Sequence, residues 1–475
     1  MPIETDYLVK GCGASAMAFV DVMLRETDAT FVMVDMGAAP GGHWNDAYPF
    51  VRLHQPSSFY GVSSRHLGHD RIDADGFNKG LRELASGIEI ANYFHQVMRD
   101  QFLPTKRVSY HPVCRISEED IARGRATFES LLSGARHDVA FAKKFVDATF
   151  LKTSIPLTHS RRFEVAEGVA SIPPNDLVRL ASTHTHFTIL GGGKTAIDAA
   201  LWLLGNGAAP DSISWVLPRD PWLINRACQQ PGLEFFEQSV GGVATQYEVA
   251  ASSSSVDEFC VGMETAGLWL RLDQAVWPTM MHAANVTVLE LEQLRRIRTV
   301  IRKGRVRRID PDKIVLDGGD VAANSRDLYI DCTASALGHN INDRSPVFDS
   351  NLIRLQMIRA FQPTFSAALI GFLEATVPDD IEKQRLTQIT PMTDTAKDYV
   401  QAMAAGISNQ GAWNAHPKVR AWLRQCRLDA FAKTLAEVDP EDAGKRAILR
   451  RIGANAGTDR PPPSGPSRLL VHHQL

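Results

Sequence analysis

Two glycine turns constrain this chain more than any other feature, each opening a helix directly after a short apolar strand. In the first, residues 7–9 read as a buried strand, Gly11, Gly13 and Ala16 fall at the G-x-G-x-x-A spacing, and residues 17–25 are apolar at helical intervals. Residues 30–34 form a second strand ending in Asp35. A βαβ unit with a carboxylate about 20 residues past the glycines is the dinucleotide-binding pattern. Gly11 permits the tight turn. Gly13 and Ala14 bring backbone N–H groups up to a pyrophosphate at the helix N-terminus. Asp35 is placed to accept hydrogen bonds from ribose hydroxyls.

The second turn repeats the spacing. Residues 187–190 read as a strand, Gly191, Gly193 and Ala196 follow, and a helix over 194–204 stops at Gly205-Asn206-Gly207. Lys194 and Thr195 open that helix, and Lys194 adds positive charge near the phosphates. The next strand, 212–217, ends in Pro218-Arg219-Asp220, so Arg219 stands where the first unit has Asp35. An arginine cannot accept a ribose hydrogen bond, but it can clamp a 2′-phosphate. The contrast points to an unphosphorylated ribose in the first fold and a 2′-phosphorylated one in the second; the alternative is a surface arginine at a strand end.

A length of 475 residues predicts two or three domains, and a net charge of −3 argues against nucleic acid or a membrane surface as partner. The acidic start does not read as a secretory signal, and no run of about 18 apolar residues occurs, so the expected location is cytoplasmic. The six cysteines include no C-x-x-C pair, which predicts scattered reduced thiols, no metal site and no redox-active dithiol.

After the first βαβ unit comes Pro40-Gly41-Gly42-His43-Trp44. With the two glycine motifs in order, this resembles the flavin-containing monooxygenases and related flavoproteins with two dinucleotide-binding domains. The resemblance covers residues 6 to 375 and implies that Gly42, His43 and Trp44 pack on the FAD. It implies that the segment 52–58 passes the isoalloxazine ring, with Gln55 or His54 near its reactive edge. The plainer alternative has both residues satisfying backbone groups in a loop. It further implies that Val113 holds the adenine through its backbone, and that Ala148 lies in the turn between the folds. There Phe150 replaces the family's glycine. A helix from about 365, preceded by Gln362 and Thr364, would point its N-terminus at the flavin N1–C2=O edge. The F-x-G-x-x-x-H motif of the hydroxylase and Baeyer–Villiger subgroups is missing, since Ser160-Arg161-Arg162-Phe163-Glu164 lacks its glycine and spacing. The resemblance is therefore to the architecture.

The expected fold is α/β, with two Rossmann-type nucleotide-binding domains and C-terminal helices. Residues 1–180 and 327–385 would form a split FAD domain, 181–326 an inserted NADPH domain, 386–454 a helical cover and 455–475 a disordered tail. The segment Thr333-Ala334-Ser335, after a strand at 327–332, echoes the strand and turn at 146–149. A strand is expected over 353–360, and Asp394 and Asp439-Pro440 as helix starts. The scattered aromatics of 221–295 are read as core before pocket. The implied activity is an NADPH-consuming monooxygenase acting through a flavin C4a-(hydro)peroxide, with O₂ and a small organic molecule as partners and a homo-oligomer left open. An NADPH-dependent flavin dehydrogenase or reductase, or a non-catalytic FAD-binding protein, are the alternatives.

Overall fold

The computed structural model describes residues 1–151, 153–324, 326–335 and 343–455; the tail expected over 455–475 lies, from 456 on, outside the described residues. Its first sheet is built around Ile3–Lys10. Tyr7, Leu8 and Val9 are buried on both faces, as a central parallel strand requires. Phe31–Val34 pairs with it in parallel from Tyr7↔Phe31 to Lys10↔Val34, and Val108–His111 pairs with Phe31–Val34. On the other side runs Arg136–Asp147, twelve residues long. Its length lets its outer edge serve two neighbours. Residues 136–140 take the antiparallel Arg125–Ser130, followed by Cys114–Ser117, while 145–147 take Leu352–Arg354 in parallel.

The helix after the first glycine turn, Ala14–Glu26, packs closely on Pro363–Thr376. A Cβ at Gly371 would stand 2.9 Å from the Phe19 carbonyl oxygen, so glycine sets the approach of the two helices.

The second sheet is wholly parallel, in the order Thr299–Ile301, Ile213–Val216, Phe187–Leu190, Leu328–Asp331, Ser171–Ile172. This moves two expected boundaries. Ser171–Ile172 belongs to the second sheet although it precedes 181. Leu328–Asp331 pairs in register with Phe187–Leu190, so 327 does not begin the return to the first sheet. The return is made at Leu352–Arg354. An apolar parallel strand carries no local mark of which sheet will take it. The strand expected over 353–360 is correspondingly short, and the chain turns at Phe361, which has φ +60°.

Residues 221–295 form a three-stranded sheet, with Trp222–Asn225 between Trp269–Arg271 and Asn285–Val286, and three helices, Phe236–Ser252, Val256–Thr265 and Val288–Leu294. Trp222, Phe259, Trp269 and Met281 are core residues, packed with Val400 and Met403 of the helix Ala396–Ala415. Trp277 is the exception, at 41% exposed. The basic stretch 295–308 is a helix end followed by strands, Val306–Ile309 pairing with Lys313–Leu316.

The C-terminal region is helical. Asp394 does not cap it: Thr395 does, in a reciprocal capping box with Asp398. The last helix, Ala443–Asn455, starts after Asp439-Pro440, with Asp442 accepting from the Lys445 N–H at 2.9 Å. Among the described residues no helix is long and apolar enough to cross a membrane. All six cysteines are free, and burial pushes the Cys12 and Cys332 thiols well up.

Candidate functional site

The two glycine turns are built alike. Gly11 has φ +94° and Gly191 φ +120°. A Cβ on Gly11 would lie 2.9 Å from Thr149 Cγ2, and one on Gly191 2.6 Å from the Cys332 carbonyl oxygen. Each first glycine thus packs on the turn after a strand paired with the one that leads into it. Those turns are twins. Asp147 Oδ1 accepts from the Thr149 N–H at 2.9 Å and its hydroxyl at 2.7 Å; Asp331 Oδ1 accepts from the Thr333 N–H at 3.0 Å and its hydroxyl at 2.6 Å. Ala148 lies in the first of these turns, its N–H bound to the Lys10 carbonyl at 3.0 Å.

Gly13 and Gly193 are the N-caps of Ala14–Glu26 and Lys194–Gly205, in extended backbone at φ −77° and −86°. Neither helix has a side-chain cap or an acidic residue in its first turn, whereas Ser86, Thr287 and Thr395 each cap theirs. The N–H groups of these two helix starts are left for a ligand, where the helix dipole favours phosphate. Ala16 and Ala196 are fully buried, small enough to let each helix sit against its sheet.

At the first turn the chain crosses over itself. The Gly41 N–H donates to the Cys12 carbonyl at 2.8 Å, and Gly42, at φ +60°, would place a Cβ 3.0 Å from Gly13 Cα. Only glycine backbone leaves this cradle open. Asp35 reaches the turn as its spacing predicts, accepting from the Cys12 N–H at 2.5 Å and the Gly37 N–H at 2.6 Å. Each carboxylate oxygen keeps capacity for a ribose hydroxyl. The buried Tyr110 hydroxyl on the neighbouring strand has no hydrogen-bond partner, and the buried Gln362 Oε1 has none at the start of Pro363–Thr376. Thr364, in the first turn of that helix, is buried. An open glycine cradle, a bare helix start and orphaned polar atoms fit a flavin dinucleotide. Val113 is partly committed elsewhere. It has φ +52°; its N–H donates to the Gly37 carbonyl at 3.0 Å and its carbonyl accepts from the Leu131 N–H at 2.8 Å. That N–H is spent inside the protein, which leaves the second lone pair of the carbonyl for an adenine.

The second turn opens onto a cavity of about 790 Å³ lined by Gly191 to Thr195. His43, Trp44, Tyr48 and His54 line it from the first fold's connecting segment; Arg219, His282 and Asp394 line it from the other side. The Gly-Gly-His-Trp turn therefore joins the two sites, its glycines on the first turn and its rings at the cavity. The Trp44 indole N–H donates to the Tyr60 hydroxyl at 2.7 Å, and the His43 and Trp44 ring centres are 5.0 Å apart.

His54 is enclosed, and burial, then the nearby charges of Lys194 and Arg226, hold its ring neutral with a pKa well below the usual histidine range. Its carbonyl accepts from Arg226 Nε at 3.2 Å and Asn285 Nδ2 at 3.3 Å, so one residue lines the cavity and anchors the loop. Gln55 is half-buried and is not among the lining residues. Lys194 is paired with Asp198 one turn on, and the Tyr48 hydroxyl donates to the same carboxylate at 2.7 Å. Its charge is neutralised at the cavity edge instead of standing free for phosphate.

Arg219 is neither free nor a plain surface residue. Its Nη1 donates to both oxygens of Asp394, at 2.8 and 3.0 Å, and its Nη2 to the carbonyls of Thr279 and Asp394. His282 Nε2 lies 2.8 Å from Asp394 Oδ1. Partial burial opposes the charged form of Asp394, but the bonds from Arg219 and His282 outweigh it and hold its carboxyl below the usual range. Sequence spacing offered no signal for Asp394, which lies 175 residues from its arginine. Tyr48 and Arg226 carried none either.

No family model matches the sequence. Two of the solved structures similar to it illustrate its fold. The open crystal structure of cyclohexanone monooxygenase aligns at a TM-score of 0.50 and 12% identity over 86% of this chain and 99% of that one. The polycyclic ketone monooxygenase from the thermophilic fungus Thermothelomyces thermophila aligns at 0.50 and 11%, over 90% and 85%. The likeness is one of fold: an α/β architecture like that of these two monooxygenases. In sequence the chain is 42% identical over 456 residues to Uncharacterized protein Rv2000 of Mycobacterium tuberculosis and, equally, to Uncharacterized protein Mb2023 of Mycobacterium bovis, covering 96% of this chain and 83% of theirs. It belongs to the family of these mycobacterial proteins.

Proposed function

We propose that the protein is a flavin-dependent oxidoreductase and, within that class, an NADPH-consuming monooxygenase of a small organic molecule. The observation that carries this reading is a cavity lined by the second glycine turn, by Arg219 and by the rings of the Gly-Gly-His-Trp segment, whose own Gly42 lies against Gly13 of the first turn. Gly11, Gly13, Ala14, Ala16 and Asp35 would hold FAD; Gly191, Gly193, Thr195, Ala196 and Arg219 would hold NADPH. The chemistry is the flavin's, namely hydride acceptance from NADPH and activation of O₂.

The protein positions and shields. The two helix starts would hold the diphosphates of the two dinucleotides. His43, Trp44 and His54 line the cavity, and the His54 ring carries little charge near neutral pH, since burial lowers its affinity for a proton. A neutral His54 can donate or accept a hydrogen bond at a reacting edge without bringing a counter-charge. The orphaned amide of Gln362 offers its oxygen at the dipole end of Pro363–Thr376. The six isolated thiols provide no dithiol centre, which disfavours a disulfide-reducing variant of the same architecture.

The test is to purify the protein with its flavin and follow NADPH and O₂ together across amine, sulfide and ketone substrates. Substrate-dependent O₂ uptake with ¹⁸O entering the product supports the monooxygenase. NADPH oxidation by artificial acceptors, without O₂ uptake, indicates the dehydrogenase. Bound FAD that NADPH never reduces overturns both.

A further inference from the structure

The Arg219–Asp394 pair stands at the place where a phosphorylated ribose would be read. Arg219 follows the strand Ile213–Val216, at the position of Asp35 in the first fold. Its backbone lies against the glycine turn, since a Cβ on Gly192 would be 2.9 Å from the Arg219 carbonyl oxygen. The guanidinium has a partner at every nitrogen: Nε faces Thr279 Oγ1 at 3.5 Å, Nη1 holds the Asp394 carboxylate, and Nη2 holds two carbonyls. Arg219 and Asp394 both line the cavity. Their side chains are 30% and 40% exposed, so an incoming anion can reach the pair.

Resting on the reading that the second fold takes a nicotinamide dinucleotide, we propose that Asp394 is an internal stand-in for the 2′-phosphate. It occupies Arg219 in the free protein and is displaced when a 2′-phosphorylated dinucleotide binds. A carboxylate and a phosphate oxygen present the same acceptor to a guanidinium, and the two anions cannot share Nη1 without repulsion. The exchange requires only a side-chain movement. The backbone around Asp394 is held separately, by Thr393 Oγ1 donating to the Met281 carbonyl at 2.6 Å and by the Asp394 N–H donating to Asp398 Oδ2 at 3.1 Å. An exposed ion pair is weak, so the stand-in lowers affinity for the phosphorylated dinucleotide modestly and leaves the unphosphorylated one untouched. It thus tunes the ratio between the two.

The experiment is calorimetric titration of the FAD-loaded protein with NADP⁺ and with NAD⁺, for wild type, D394N, R219Q and the double variant. Removing the carboxylate charge is expected to tighten NADP⁺ about fivefold, with NAD⁺ moving less than twofold. In the R219Q background the D394N gain disappears, as a shared partner demands. Equal tightening of both dinucleotides, or none of either, overturns the proposal. Failure of wild type and D394N to bind either dinucleotide overturns the underlying reading instead, which is a distinct result. Should D394N not fold, the wild type answers alone. With ¹⁵N-labelled histidine, assigned through H282Q, NADP⁺ but not NAD⁺ shifts the His282 Nε2 resonance as Asp394 leaves it. Identical responses to the two ligands overturn the exchange.

Discussion

Gly191 and Gly193 are two residues apart and fail differently. Gly191 has a left-handed backbone and a carbonyl oxygen 2.6 Å from where a Cβ would be, so neither can yield. G191A is expected to destabilise the protein by about 2–3 kcal/mol and to lower its melting temperature. Gly193 has ordinary extended backbone and open space around it. G193A should melt within a degree or two of wild type, yet lose dinucleotide affinity because its methyl occupies the phosphate approach. Thermal melts and titrations on both variants separate the roles. His54 makes a different prediction. It is neutral in the fold and gains a proton on unfolding below about pH 6.5. Its contribution is therefore fully present above that pH and is lost as pH falls, by up to about 1.4 kcal/mol per pH unit. Denaturant unfolding at pH 7.5 and 5.5 should show a smaller loss in H54Q than in wild type.

At the scale of elements, the close crossing of Ala14–Glu26 over Pro363–Thr376 holds the first glycine turn and the Gln362 helix start in fixed relation. G371V would press on the Phe19 backbone, 2.9 Å from the Cβ position. It is expected to cost about 1–3 kcal/mol by overpacking and to weaken FAD retention, read as flavin released on gel filtration. The helix Ala396–Ala415 tests the opposite case. T395A removes one half of a capping box and should cost about 1 kcal/mol, with the NADP⁺ to NAD⁺ affinity ratio unchanged, because the Asp394 side chain that sets the ratio is not part of the cap.

For the whole molecule, Arg226 is the tie between units distant in sequence. It is fully buried and bonds the His54 and Asn285 carbonyls, Asn78 Oδ1 and, at 2.8 Å, Glu290 Oε2. R226M strands the Glu290 charge and should cost about 3–5 kcal/mol; R226M/E290Q should recover part of that loss in urea unfolding. Nothing near Arg226 in the chain announced this role. The glycine spacings, the strands beside them, the Asp35 turn and the twin Asp-x-Thr segments were all readable, because they rest on backbone sterics and hydrogen bonds spanning a few residues. The sheet that takes Leu328–Asp331, the internal partners of Val113, and the pairing of Lys194 with Asp198 beside Tyr48 were not readable. Each depends on which surfaces the rest of the chain buries against them. The sequence by itself determined that there would be two glycine turns, each ready for a dinucleotide, because a tight turn with no room for a Cβ is a local demand. Only the tertiary structure decided that the Gly-Gly-His-Trp segment reaches from the first turn to the cavity at the second and that Arg219 meets Asp394 there, because a charge takes whichever opposite charge the packed chain brings within reach.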